Sequence, residues 1–244
     1  MKGTNWCLFY LLHVAIVVIY CFKSFRSSTT LETFETFETF IFEHINNIMA
    51  LATNPKQLSG IPVIDYKHIR PFLKTGDIIF CSGDYFFSKI IQSLTKSTWS
   101  HCGIIYKDHD LDRVLILESE TMVGVRLIPV SKYLEDYKET HRSYKGKIIV
   151  ATLENPATPP DLKKGISFGL DQLAQPYDNW EIFRILLRIL FKKGKRERNR
   201  NFICSELVRD IYTRSGVKIQ LHDSYISPDD IWKLPDVKLK YRIL

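Results

Sequence analysis

The chain has 244 residues, 45% of them hydrophobic and 25% charged. That length holds one medium domain of about 100 to 200 residues plus an appendage and excludes a multidomain machine, while the composition excludes both a disordered chain and a polytopic membrane protein. The net charge of +7 is local: Lys192, Lys193, Lys195, Arg196, Arg198 and Arg200 form one run against Glu197 alone, and without it the chain is near neutral. The five cysteines include no C-x-x-C pair, which excludes a disulfide-stapled scaffold or a cysteine-rich zinc fold and makes a reducing environment the default.

From Trp6 to Phe22 the segment WCLFYLLHVAIVVIYCF carries no formal charge, is broken only by His13, and is flanked by Lys2 on one side and Lys23 and Arg26 on the other. A span needs roughly 17 to 25 apolar residues, so a single-pass membrane anchor is expected over residues 1–26, with Trp6, Tyr10, Tyr20 and Phe22 at interfacial positions. A cleaved signal peptide is the alternative, but the following KSFRSSTT lacks a small-residue cleavage site; a buried core helix ranks third. The flanking cations nearly balance, so orientation is left open. Residues 27–60 carry a tandem ETF triplet from Glu32 to Phe40 and read as a stalk, with an interfacial or partner-docking helix as the alternative.

Residues 61–244 change to short apolar runs separated by turns, the pattern of an α+β domain with a small antiparallel sheet and helices on one side. Strands are expected over Asp77 to Cys81, Cys102 to Tyr106, Val114 to Ser119, Gly124 to Val130 and Lys147 to Leu153. Helices are expected over Phe86 to Leu94, Pro159 to Ala174, Trp180 to Phe191 and Ser205 to Arg214, the last stopped by Gly216 at C′. A short final helix starts at Ser227-Pro228-Asp229-Asp230.

Three polar residues stand in apolar elements where a polar side chain needs a reason: His101, Glu118 and Cys204. His101 opens HCGIIY and Glu118 closes VLILES, and the loop Lys107 to Arg113 joins the two runs. A hairpin centred near His109 and Asp110 puts His101 opposite Glu118, and a shift of two in register puts Glu120 there instead. Either way a carboxylate faces the imidazole. Cys204 starts an amphipathic helix whose Leu207, Val208, Ile211 and Tyr212 form one face, so its sulfur sits at the positive end of the helix dipole, which lowers a thiol pKa from about 8.5. Taken singly, each has a bland alternative: a satisfied structural histidine, a packing cysteine, a solvated glutamate. Of the other cysteines, Cys7 and Cys21 fall in the anchor, Cys81 in a strand core, and Cys102 points away from the His101 face. His109 and His222 read as surface residues in loops.

The segments LKTGDIIF (Leu73 to Phe80), SHCGIIY (Ser100 to Tyr106), LILES and GVRLIPV (Leu115 to Val130), AQPYDNW (Ala174 to Trp180) and FICSELV (Phe202 to Val208) occur in one order. That order resembles circularly permuted NlpC-type papain-like proteins of the YiiX/YaeF-like branch, and GVRLIPV looks like the poxvirus members. The resemblance spans roughly Leu73 to Trp232. It implies a permuted papain-like domain with Cys204 as nucleophile, His101 as general base and Glu118 as the group that orients the imidazole. It further implies that Tyr177 borders the site, with packing against the cysteine helix as an equal alternative, and that Asp77 is structural.

On that resemblance the expected function is a membrane-anchored thiol hydrolase working through a thioester acyl-enzyme, with the Cys204 backbone N–H contributing to an oxyanion hole and no metal or organic cofactor needed. The substrate is a peptide, another amide or a lipid acyl group. An acyltransferase on the same fold and a catalytically retired binding or assembly module are the rivals. The run from Lys192 to Arg200 is a solvated loop, a contact to anionic membrane, or a localisation or nucleic-acid patch, and nucleic acid ranks last because no recognised binding motif stands beside it. The likeness to poxvirus proteins implies a virus-encoded protein, placed in a host or virion membrane.

Overall fold

The computed structural model describes residues 58, 61–120, 123–155, 157–174, 203–217, 219 and 226–244. The expected anchor and stalk, the helix from Trp180 to Phe191, the basic run from Lys192 to Arg200, Tyr177 and His222 lie outside the described residues. Among the described residues no helix is long and apolar enough to cross a membrane.

In chain order the elements are α1 (Tyr66–Ile69), β1 (Ile78–Gly83), α2 (Phe86–Thr95), β2 (His101–Asp108), β3 (Arg113–Glu120), β4 (Gly124–Pro129), α3 (Val130–Glu135), β5 (Gly146–Leu153), α4 (Pro159–Leu170), α5 (Cys204–Arg214), α6 (Pro228–Trp232) and β6 (Val237–Arg242). The six strands form one sheet in the order β4-β3-β2-β1-β5-β6. Every neighbouring pair is antiparallel.

The sheet separates two apolar layers. On one face Phe80, Cys102, Ile104, Leu117, Ile149 and Ala151 pack with Cys204, Leu207, Val208 and Ile211 of α5 and Ile231 of α6. On the other, Ile79, Cys81, Ile105, Ile116, Ile148 and Val150 pack with Val130 and Tyr133 of α3 and with Tyr137 and Tyr144. The expectation of helices on one side is therefore corrected. Ile78 to Cys81 and Cys102 to Ile105 are apolar at successive positions and almost wholly buried, which is the signature of strands covered on both faces.

The β2–β3 hairpin takes the alternative register. Asp108 pairs with Arg113 and Ile104 with Leu117, so the turn is centred between Asp110 and Leu111, one residue later than the first expectation. The cause is local: Asp108 Oδ1 accepts from the backbone N–H groups of Asp110 (3.0 Å) and Leu111 (2.9 Å), an Asx-type turn that holds residues 109–112 in the loop.

Helix α5 ends as its sequence implies. Gly216 has φ +77°, and the N–H groups of Gly216 and Val217 donate to the carbonyls of Thr213 (3.1 Å) and Tyr212 (3.0 Å), completing a Schellman motif. Gly169 of α4 lets that helix approach closely: a Cβ there would lie 2.7 Å from Leu117 Cδ2 and 2.8 Å from Ile211 Cδ1. Helix α4 stops at Leu170 rather than Ala174, which adopts a left-handed φ of 59° beyond a turn. Helix α6 starts with a reciprocal capping box between Ser227 and Asp230.

Candidate active site

Three separate segments converge at one end of β2. His101 is its first residue, Glu118 comes from the adjacent β3, and Cys204 is the first residue of α5. His101 Nε2 lies 2.7 Å from Glu118 Oε2. The β2–β3 ladder is paired from Ile104 to Asp108, and its register extended to His101 would point to Glu120. Glu118 instead reaches the imidazole diagonally, a span open to long side chains. Gly103 makes room for this: a Cβ there would meet Glu118 Cβ at 3.1 Å and Ile116 Cγ2 at 2.7 Å. Glu120 is engaged elsewhere, with Lys138 Nζ 2.9 Å from its Oε1.

Glu118 is fully buried and holds three partners. Besides His101, its Oε2 accepts from Tyr133 Oη (2.7 Å), and its Oε1 accepts from Arg126 Nε (2.7 Å), with Arg126 Nη2 also 2.7 Å away. Burial alone would raise its pKa, but the charges of His101 and Arg126 and the hydrogen bonds of His101 and Tyr133 bring it down to about 2. Burial likewise works against the imidazolium. The Glu118 charge and the hydrogen bonds to Cys204 and Glu118 outweigh it and raise His101 to about 10.

The Cys204 thiol is held well below its ordinary range. The largest cause is a hydrogen bond from the Cys102 thiol; burial opposes it, and the hydrogen bond and charge of His101 and the backbone N–H of Cys102 add to it. Since Glu118 engages Nε2, the imidazole has Nδ1 to offer the sulfur. Cys204 is 8% exposed and the His101 side chain 17%, whereas Cys81 and Cys102 are sealed at 1% and 0%. Among the described residues no cluster of three or more His, Cys, Asp or Glu could hold a metal ion.

Sequence reasoning named His101, Glu118 and Cys204, and the structure brings them together. His109 is exposed in its loop and lies apart from them. Asp77 is buried in a turn, accepting from Lys74 N–H (2.9 Å) and Lys240 Nζ (2.8 Å). Missed were Arg126, Tyr133 and the contact made by Cys102. Arg126 pairs directly opposite Glu118 on β4 and could have been found by counting across the β3–β4 hairpin. Tyr133 arrives from a helix that no periodicity announced.

A cysteine at a helix start, a histidine at a strand start and a buried carboxylate behind it, on an antiparallel sheet and with the histidine strand earlier in the chain than the cysteine helix, define a permuted papain-like arrangement. The family model described as a permuted papain-like amidase enzyme, YaeF/YiiX, C92 family, matches residues 72–240. The chain belongs to this family. Among solved structures it is similar to one described as the metalloprotein yiiX from Escherichia coli O157:H7, at 21% identity over 69% of this chain and 97% of that one, with a TM-score of 0.43. No curated protein matches the chain.

Proposed function

We propose that this protein is a cysteine-dependent amidase in which Cys204 is the nucleophile, His101 the proton carrier and Glu118 the residue that orients and charges the imidazole. The observation that carries this reading is the unbroken relay from Glu118 through His101 to Cys204, with 2.7 Å between carboxylate and imidazole and a hydrogen bond from imidazole to sulfur. Together these make the ion pair, thiolate with imidazolium, the resting state at neutral pH.

From that state the Cys204 sulfur attacks the amide carbonyl carbon, and the oxyanion that forms is met by the Cys204 backbone N–H at the start of α5. His101 gives its proton to the departing amine as the carbon–nitrogen bond breaks, leaving a thioester. Neutral His101 then takes a proton from water, whose oxygen attacks the thioester. The carboxylic acid leaves, and the thiolate–imidazolium pair is restored. Water as the acceptor gives hydrolysis, and an amine or alcohol in its place gives acyl transfer through the same thioester.

The uncharged segment from Trp6 to Phe22 supports tethering of this domain to a membrane as a single-pass protein, with a peptide or other amide as substrate. A lipid acyl group is the other substrate that a tethered enzyme of this kind would meet. The test is alkylation of the full chain by iodoacetamide across pH, followed residue by residue. Cys204 labelling faster than that of every other cysteine at neutral pH, and slowed at least tenfold by His101→Ala, is expected. Labelling that is no faster and indifferent to His101 would overturn the enzyme and leave a binding module.

A further inference from the structure

We infer that Cys102 and Cys204 form a redox pair: a hydroperoxide oxidises the nucleophile, and Cys102 closes on it as a disulfide, so that the site is shut reversibly. The inference concerns regulation of the site proposed above and rests on Cys204 being its nucleophile.

Two buried thiols are near Cys204, and the sheet distinguishes them. Side chains alternate along a strand, so Cys102 faces the layer that contains Cys204. Cys81, paired opposite His101, faces the other layer among Ile79, Ile105 and Tyr133. Hydrogen bonding from the Cys102 thiol and backbone N–H helps to hold the Cys204 thiol low, while Cys81 feels Cys204 only as a charge from the other layer. Cys102 is fully buried, so no oxidant approaches it directly. Cys204 is the less enclosed of the two, at 8% exposure against 0%, and its partner His101 is 17% exposed, so a small hydroperoxide meets the Cys204 sulfur first.

The chemistry balances with the groups present. The Cys204 thiolate attacks one peroxide oxygen and the O–O bond breaks. The departing oxygen takes the His101 proton and leaves as water, giving a sulfenic acid at Cys204 and a neutral imidazole. Cys102 sulfur then attacks the sulfenic sulfur, and the thiol proton goes to the departing hydroxyl, which leaves as a second water. Two thiols lose two electrons and the peroxide gains them. With both thiols in one buried layer, the closing step outruns further oxidation to the irreversible sulfinic acid.

The test treats the full chain with hydrogen peroxide, then blocks free thiols and maps peptides without reduction. A Cys102–Cys204 disulfide, about 2 Da lighter than the two thiols and reversed by dithiothreitol, is expected. Cys102→Ser and Cys102→Ala should each convert this product into dimedone-trappable sulfenic acid and then sulfinic acid at Cys204, with circular dichroism confirming that both variants fold. A Cys81–Cys204 bond, or sulfinic acid at Cys204 in the unaltered chain at the same rate as in the variants, would overturn the inference. Iodoacetamide labelling of the reduced chain separates the two ideas: rapid Cys204 labelling without a disulfide sinks the redox pair alone, while slow labelling sinks the nucleophile.

Discussion

Replacing Glu118 by Gln tests whether the site runs on a buried charge or only on a buried hydrogen bond. Gln keeps the shape and one acceptor oxygen but removes the negative charge, so Arg126 and His101 lose their common counterion. The structure sets the scale. A carboxyl held at about 2 instead of 4.5 prefers its charged form by roughly 3 kcal/mol, at about 1.36 kcal/mol per pH unit. Breaking a buried ion pair by removing one partner costs about 3–5 kcal/mol, so the two routes agree. The substitution should lower the unfolding free energy by that amount, and the urea midpoint by that amount divided by m. It should also drop the His101 pKa from about 10, because burial, which disfavours imidazolium, would then act with only Cys204 to oppose it. Cys204 would lose its imidazolium partner in turn. The assay is urea unfolding alongside iodoacetamide labelling of Cys204 as a function of pH. A variant with an unchanged midpoint, or with an unchanged labelling profile, would refute the claim that Glu118 charges the pair.

Three further predictions concern the same frame. His101, raised from 6.5 to about 10, stabilises the fold fully below 6.5 and loses that contribution as pH rises through about 10. Cys204, lowered well below 9.0, does the reverse, its contribution complete above 9.0 and lost as pH falls through its depressed value. Between about 6.5 and 9 the native state binds one proton at His101 and releases one at Cys204, so stability from this pair should be flat; in Cys204→Ala it should fall with pH by up to about 1.4 kcal/mol per unit, read from urea midpoints at several pH values. Gly103→Ala would push a methyl against Ile116 and Glu118 Cβ, costing about 1–3 kcal/mol in urea unfolding and slowing Cys204 labelling as Glu118 is displaced. Lys240→Met would leave Asp77, 2% exposed, without its cation partner and cost about 1–3 kcal/mol in the same unfolding assay, with Cys204 labelling unchanged.

Strands β1 to β5 were legible because β-branched runs with turn residues at both ends leave few alternatives, and the observed bounds move by one or two residues. Strand β6 was missed because VKLKYR alternates apolar and cationic residues over only six positions at an edge, where exposed lysines resemble a loop. Helix α3 was missed for a different reason. VSKYLE is too short to show a period, and only tertiary contact with Glu118 reveals why Tyr133 is there. At the site, the residue types were readable from the cost of placing them in apolar elements. The register was not, since it turned on how one aspartate closed a loop. Nor was the role of Cys102: alternation had placed it correctly on the face away from His101, but that the cysteine helix packs on that face is a fact of the third dimension.

The first and last described segments are stitched together. The Ile64 N–H donates to the Arg242 carbonyl (2.8 Å), and the Arg242 guanidinium holds the carbonyls of Leu58 (2.9 Å) and Ile61 (3.1 Å). The first and last segments of this fold are thus neighbours at the β5–β6 edge, while His101, Glu118 and Cys204 are supplied by three segments at the far end of β2. The sheet registers where each strand lies and has no memory of the order in which the strands were strung. Connections can be cut in one exposed loop and rejoined where the ends already touch, and the same three side chains still converge. Permutation in such a family is therefore a change of wiring that leaves the meeting of these three side chains in place.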